Sequence, residues 1–229
     1  FSTPTRFSIP RLSLLDRGVT FAIAHVRGGG ECGRSWYEHG RLNRKLNTFT
    51  DFIDVAEHLI EAGYTTETQM AAWGGSAGGL LMGAVANLAP DTFCAIHAAV
   101  PFVDTLTTML NPEMPLTVTE WDEWGDPLHD QGAYDYLLAY SPYHNLTEQD
   151  YPAILATTSL NDTRVSYAEP AKWVAQLRRM SPETEVLLQT EMVAGHGGVS
   201  GRYRAWRQIA FEYAWLLSKM IPSLDSPES

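Results

Sequence analysis

Cysteine is scarce in this chain: Cys32 and Cys94 are the only two in 229 residues. That is too few for a disulfide framework, and both are expected as free thiols in a reducing, cytoplasmic setting. Cys94 lies in the apolar run 93–100 and reads as a small buried hydrophobe. Long apolar runs are lacking as well. None approaches the roughly 18 residues of a membrane helix, so no membrane partner is expected, and no basic-plus-apolar leader follows Phe1. Basic charge is short too, with 16 Lys and Arg against 27 Asp and Glu and a net charge of −11. This argues against nucleic acid and anionic surfaces and is compatible with cationic substrates. No histidine pair has metalloprotease spacing and no Cys–His cluster suggests zinc, so no metal or cofactor is expected. The glycine-rich run Arg27-Gly28-Gly29-Gly30-Glu31 completes neither a phosphate loop nor a dinucleotide fingerprint.

What is present is an ordinary globular composition, 45% hydrophobic and 19% charged, in a length that buries one full core. Val19 to Val26 reads as a strand. Thr50 to Gly63 places Phe52, Ile53, Ala56, Leu59 and Ile60 on one helical face, with Gly63 as the stop. A strand at Met70 to Trp73 follows, then a helix to about Leu88, then a strand from Cys94 to Val100. The segment 101–152 carries six prolines and loses periodicity, so it is expected as an irregular substrate-binding excursion. Beyond it, Ala153 to Ser159 reads as a strand, Ala168 to Met180 as a helix, Val186 to Met192 as a strand and Arg204 to Met220 as a helix. Alternating strands and helices imply an α/β fold, a mostly parallel sheet with helices on both faces. The expected organisation is one domain over 1–222 and a polar tail over 223–229.

The chemistry concentrates at Gly74-Gly75-Ser76-Ala77-Gly78. Strand, Gly-x-Ser-x-Gly, helix is the nucleophile elbow of α/β-hydrolases. The serine sits on a strained turn, and side chains two positions away on either side are expected to collide there. The Ala77 amide then points to where an oxyanion would form, at a helix N-terminus. A serine hydroxyl needs a base, and the base needs an orienting carboxylate. In this fold they follow in the order serine, acid, histidine, each at the carboxyl end of a strand. Asp162 follows the strand 153–159 and His196 follows the strand 186–192 in a glycine-rich loop. Taken singly, an aspartate after a strand is also a turn former, and a histidine among glycines is also a surface turn. Their joint placement selects Ser76, Asp162 and His196 as the catalytic set. Of the other histidines, His25 at a strand end is the one to inspect.

These residues resemble the prolyl oligopeptidase family of serine peptidases, through Arg27–Glu31 with Gly33 and Trp36, Gly74–Gly79, Asp162 and His196. The runs 99–104 (AVPFVD), 120–125 (EWDEWG), 140–143 (YSPY) and 195–198 (GHGG) are similar to its oligopeptidase B branch. The likeness covers about 12–220. It implies an α/β-hydrolase domain, lacking its first strands here, that cleaves short peptides after Arg or Lys with a preference for dibasic sites. It implies that Glu120 and Asp122 help select the basic side chain and that Arg164 binds a substrate carbonyl. On the residues alone, Glu120, Asp122 and Glu123 read as an ordinary solvated acidic run, and Arg164 as a surface salt bridge. The family places a β-propeller domain before this one and takes half of its oxyanion hole from a tyrosine in a Tyr-Gly-x-Tyr-Gly-like segment. Neither occurs in this sequence, so the chain reads as a fragment. A carboxylesterase of the same fold and a catalytically inactive remnant remain as alternatives.

Overall fold

The computed structural model describes residues 7–221; the polar tail over 223–229 lies outside them. The helices are α1 (Ile9–Leu15), α2 (Arg34–Glu38), α3 (Leu46–Glu61), α4 (Ala77–Leu88), α5 (Thr105–Met109), α6 (Thr117–Trp124), α7 (Gln131–Tyr140), α8 (Ala168–Met180) and α9 (Arg202–Met220). The strands β1 (Ala71–Gly75), β2 (Ala95–Ala99), β3 (Ala153–Ser159) and β4 (Val186–Glu191) form one sheet in the order β1-β2-β3-β4. Every pair is parallel. No helix among the described residues is long and apolar enough to cross a membrane.

Each strand adds beside the one before it, and right-handed crossovers then put the intervening helices on one face. Side chains alternate accordingly. Ala72, Ile96, Ala98, Ile154 and Ala156 join Leu80, Met82 and Val85 of α4 and Trp173 and Leu177 of α8 in the larger core. Phe49 and Ala56 of α3 close that core from outside. On the opposite face Ala95 and Leu155 meet Trp215 and Leu216 of α9. The expected two-sided α/β architecture is therefore present. Gly63 ends α3 as anticipated, at φ 74°, where a side chain would be strained.

Two expectations fail for identifiable reasons. Val19–Val26 forms no strand, because no neighbouring strand among the described residues takes up its backbone groups. Strand propensity supplies no hydrogen bonds by itself. β1 is consequently an edge, and Trp73 on it is 57% exposed. The second failure is the segment 101–152, which is largely helical. Its prolines stand between helices: Pro112 and Pro115 before α6, Pro127 between α6 and α7, Pro142 just after α7. Helices of five, eight and ten residues are too short for a 3.6-residue period to stand out. Cys94 also departs from expectation, being half-buried, although its burial does raise the thiol above its ordinary pKa.

One buried polar group carries a measurable consequence. His97 of β2 is fully buried, with Nε2 3.1 Å from Thr157 Oγ1 and Nδ1 without a partner. Burial lowers its pKa to about 4. The folded chain thus keeps this ring neutral where the unfolded chain protonates it. Its stabilising effect is complete above the unfolded pKa of about 6.5 and is lost as pH falls toward 4. That loss amounts to about 3 kcal/mol at most. We expect His97→Leu to flatten this part of the stability–pH curve in urea unfolding. An unchanged acid limb in the variant would count against the assignment.

Candidate active site

The three residues singled out in sequence sit at the carboxyl ends of β1, β3 and β4, and the fold brings them into one line. Ser76 Oγ is 3.1 Å from His196 Nε2, and His196 Nδ1 is 2.7 Å from Asp162 Oδ2. The Asp162 side chain is wholly buried. The geometry suits proton transfer from hydroxyl to imidazole, with the carboxylate holding the Nδ1 proton.

Ser76 owes its position to backbone strain. It stands at φ 58° and ψ −116°, a conformation L-residues rarely hold. Four contacts over-determine it. Its N–H donates to Ala99 O at 2.8 Å, and its carbonyl accepts from Gly79 N at 2.8 Å, Leu80 N at 3.1 Å and Phe102 N at 3.3 Å. The glycines around it have unequal reasons. A Cβ on Gly74 would lie 2.3 Å from Gly78 O, and one on Gly79 would lie 2.4 Å from Pro101 Cα. A Cβ on Gly78 meets nothing within 4 Å. The collision expected on both sides of the serine is real at Gly74 and absent at Gly78, whose place is taken by Gly79. Ala77 is exposed at the first position of α4, where a helix leaves its N–H without an intrahelical acceptor. That N–H is available to a developing oxyanion.

Asp162 divides its oxygens between two tasks. Oδ1 accepts from Arg164 N at 2.8 Å and Val165 N at 2.9 Å, while Oδ2 faces His196. It is a turn former and an imidazole partner at once. His196 occupies a tight turn closed by Gly198 N donating to Gly195 O at 3.0 Å, with Gly198 at φ 75°. Two side chains missed in sequence tie this loop to the end of β3. The buried Ser159 hydroxyl donates to Ala194 O, and Asn161 Nδ2 donates to Val193 O at 3.1 Å. Polar residues at a strand end give no periodic signal that would have found them. His25 is exposed and outside the cavity at Ser76.

A cavity of about 90 Å³ opens beside Ser76 and Ala77, walled by Phe102, Met109, Trp124 and Val165 among others. Glu120 and Arg164 also line it; Asp122 does not. Both acids lie on α6, and two residues turn a helix by about 200°, so Glu120 and Asp122 cannot share a face. Asp122 is exposed, so of the expected carboxylate pair Glu120 alone borders this cavity. The acidic run splits three ways. Glu120 Oε2 accepts from Trp124 Nε1 at 2.8 Å beside the cavity, while Asp122 is in solvent. Glu123 takes Lys45 Nζ and the Tyr37 hydroxyl, each at 2.7 Å. Burial lowers the pKa of Lys45, and Glu123 opposes that shift. The Lys45 ammonium also lies 4.7 Å from the Trp124 ring centroid, bracing α6. Arg164 is exposed and has no ion-pair partner among the described residues, so it is not the surface salt bridge that sequence alone allowed.

A strained serine between strand and helix, with histidine and aspartate delivered by later strands of a parallel sheet, defines an α/β-hydrolase domain. The chain belongs to the prolyl oligopeptidase family, whose model matches residues 5–222. It is similar to dipeptidyl aminopeptidase BI of Pseudoxanthomonas mexicana, at 53% identity over 96% of this chain and 30% of the relative. It is also similar to protease 2 of Moraxella lacunata, at 54% identity over 94% of this chain and 31% of the relative. The structure of oligopeptidase B from Leishmania major superimposes with a TM-score of 0.93 at 49% identity, over 96% of this chain and 30% of that one. The chain thus spans about a third of the length of these relatives.

The Ser159 tether yields a direct test. Ser159→Ala is expected to slow fluorophosphonate labelling of Ser76 by about tenfold, since small misplacements of a reacting group are costly. Labelling at the wild-type rate would show that the tether does not position His196.

Proposed function

We propose that the chain is a serine peptidase domain that cleaves short peptides after Arg or Lys. The observation that carries this reading is the continuous line from Ser76 Oγ through His196 to Asp162, with a carboxylate-bearing cavity alongside. In the proposed reaction, His196 Nε2 takes the Ser76 proton as Oγ attacks the scissile carbonyl carbon. The tetrahedral oxyanion lies at the Ala77 N–H. His196 returns the proton to the leaving amine, the C–N bond breaks and an acyl-enzyme remains. Water, deprotonated by the same imidazole, releases the acid and restores the serine.

Specificity is assigned to Glu120. Its carboxylate borders the cavity, where a guanidinium or ammonium would form charge-assisted hydrogen bonds with it. Arg164, exposed at the rim without an ion-pair partner, suits a substrate backbone carbonyl. The acidic balance of the chain favours capture of basic peptides. The names of the relatives, two of them peptidases acting under the labels protease 2 and oligopeptidase B, support the same class. In this family reading the domain works beside a β-propeller in the whole protein, and a cytoplasmic location fits its free thiols.

Ser76→Ala is expected to lower turnover of an arginyl-amide reporter by a factor of about 10⁴ or more. Glu120→Gln should lower kcat/KM for that reporter by about 10–100-fold and spare an ester without a basic group. If such neutral esters outperform arginyl amides in the wild type, the domain is an esterase and the peptidase reading is wrong.

A further inference from the structure

The cavity beside Ser76 has a second carboxylate behind its wall. Thr108 of α5 lines the cavity, and its Oγ1 donates to Glu169 Oε1 of α8 at 2.6 Å. Glu169 Oε2 accepts from Asp104 N at 2.9 Å. Glu169 is 4% exposed and does not itself line the cavity. Among the described residues no cation lies within ion-pair distance of it. The neighbouring charges are otherwise engaged. Lys172 of α8 binds the Asp104 carboxylate and faces the Tyr143 ring at 4.6 Å. His144, from the short helical turn after α7, has Nδ1 3.7 Å from Asp104 Oδ1. Asp104 thus holds the lysine and Glu169 has none within ion-pair distance, and a buried charge without a counter-ion is costly.

We propose that Glu169 is a specificity-determining residue for a cationic side chain in this cavity, acting through the Thr108 hydroxyl. The inference rests on the reading of the cavity as the seat of a basic side chain and adds Glu169 to Glu120 as its second carboxylate. When Glu169 is ionised, the Thr108 proton points at it, which orients the hydroxyl dipole with its oxygen away from Glu169 and leaves a negative charge one hydrogen bond behind the wall. When Glu169 is protonated, the charge is lost and its carboxyl O–H can donate to Thr108 Oγ1 instead, turning the hydroxyl dipole round. Burial first, and then the nearby Asp104 charge, raise the Glu169 pKa to about 7, against the hydrogen bonds from Thr108 and Asp104 N that lower it. Glu169 is neutral at lower pH and charged at higher pH, so cation affinity rises as pH increases through neutrality. Reciprocally, a bound cation draws the Glu169 pKa down.

The test is binding of agmatine, a guanidinium-bearing amine that stays cationic throughout, measured by calorimetry on the chain and on its variants. We expect about tenfold tighter binding at about pH 8.5 than at about pH 5.5, the size of one charge felt across a protein wall. Glu169→Gln should remove that rise. Thr108→Val, which deletes both the relay and the donor that lowers the Glu169 pKa, should shrink the rise and move its midpoint to higher pH. The kcat/KM ratio for arginyl over citrullinyl amides should follow the same curve, because changes in the shared catalytic groups act on both substrates and cancel. A merely structural Glu169 would depress both substrates alike and leave the ratio flat. Absent agmatine binding, equal affinity at the two pH values, or a rise retained in Glu169→Gln would each overturn the inference. Should Glu169→Gln fail to fold, a Thr108→Val midpoint that does not move overturns it instead. Agmatine binding with the expected profile but no hydrolysis of arginyl amides would refute the proposed function and leave the role of Glu169 standing.

Discussion

The carboxyl edge of the sheet is referenced to one strained backbone position, Ser76. A residue at φ 58° and ψ −116° stays there only if its surroundings leave it no alternative. The hydrogen bond from its N–H to Ala99 O fastens it to β2, and its carbonyl caps the first turn of α4. Close approach of Gly74 to Gly78, and of Gly79 to Pro101, lets α4 start immediately against the sheet. Remove that closeness and Ser76 Oγ no longer stands at the height that His196 Nε2 reaches. Ser159 and Asn161 serve the other partner similarly, fastening the His196 loop to the strand end that carries Asp162. The relay depends on strand ends being held in register with each other, and a parallel ladder does this well.

Acidic residues near the site illustrate how burial sorts chemically equal groups. Glu120, Asp122 and Glu123 are neighbours in sequence and part company in space, to the cavity, to solvent and to the buried Lys45. Glu169, far from them in sequence, approaches the same cavity through Thr108. Negative net charge of the whole chain says only that cations are welcome. Which carboxylate meets one is decided by helix phase and by what already neutralises the others.

Much of the fold was legible because strong local signals agreed with the tertiary outcome. The run 153–159 is a strand and 168–180 a helix with the bounds read from sequence, since both carry their full apolar pattern within the element. The elbow was legible from glycine spacing, and Asp162 and His196 from their places after later strands. Val19–Val26 was misread because strand formation is a property of a pair, and its composition says nothing about whether a neighbour is present. The segment 101–152 was misread because prolines that terminate helices look the same in a linear pattern as prolines that prevent them.

The sequence by itself determined the frame of the site. A serine on a strained turn, with an aspartate and a histidine after later strands, follows from residue types and order alone. Tertiary structure decided which side chains share a space: Glu120 but not Asp122, Glu169 behind Thr108, Ser159 under the His196 loop. The physical reason is range. Turn strain and helix or strand periodicity act over a few residues and are written locally. Burial, counter-ion pairing and desolvation depend on what distant segments bring to the same place, and no local pattern encodes that.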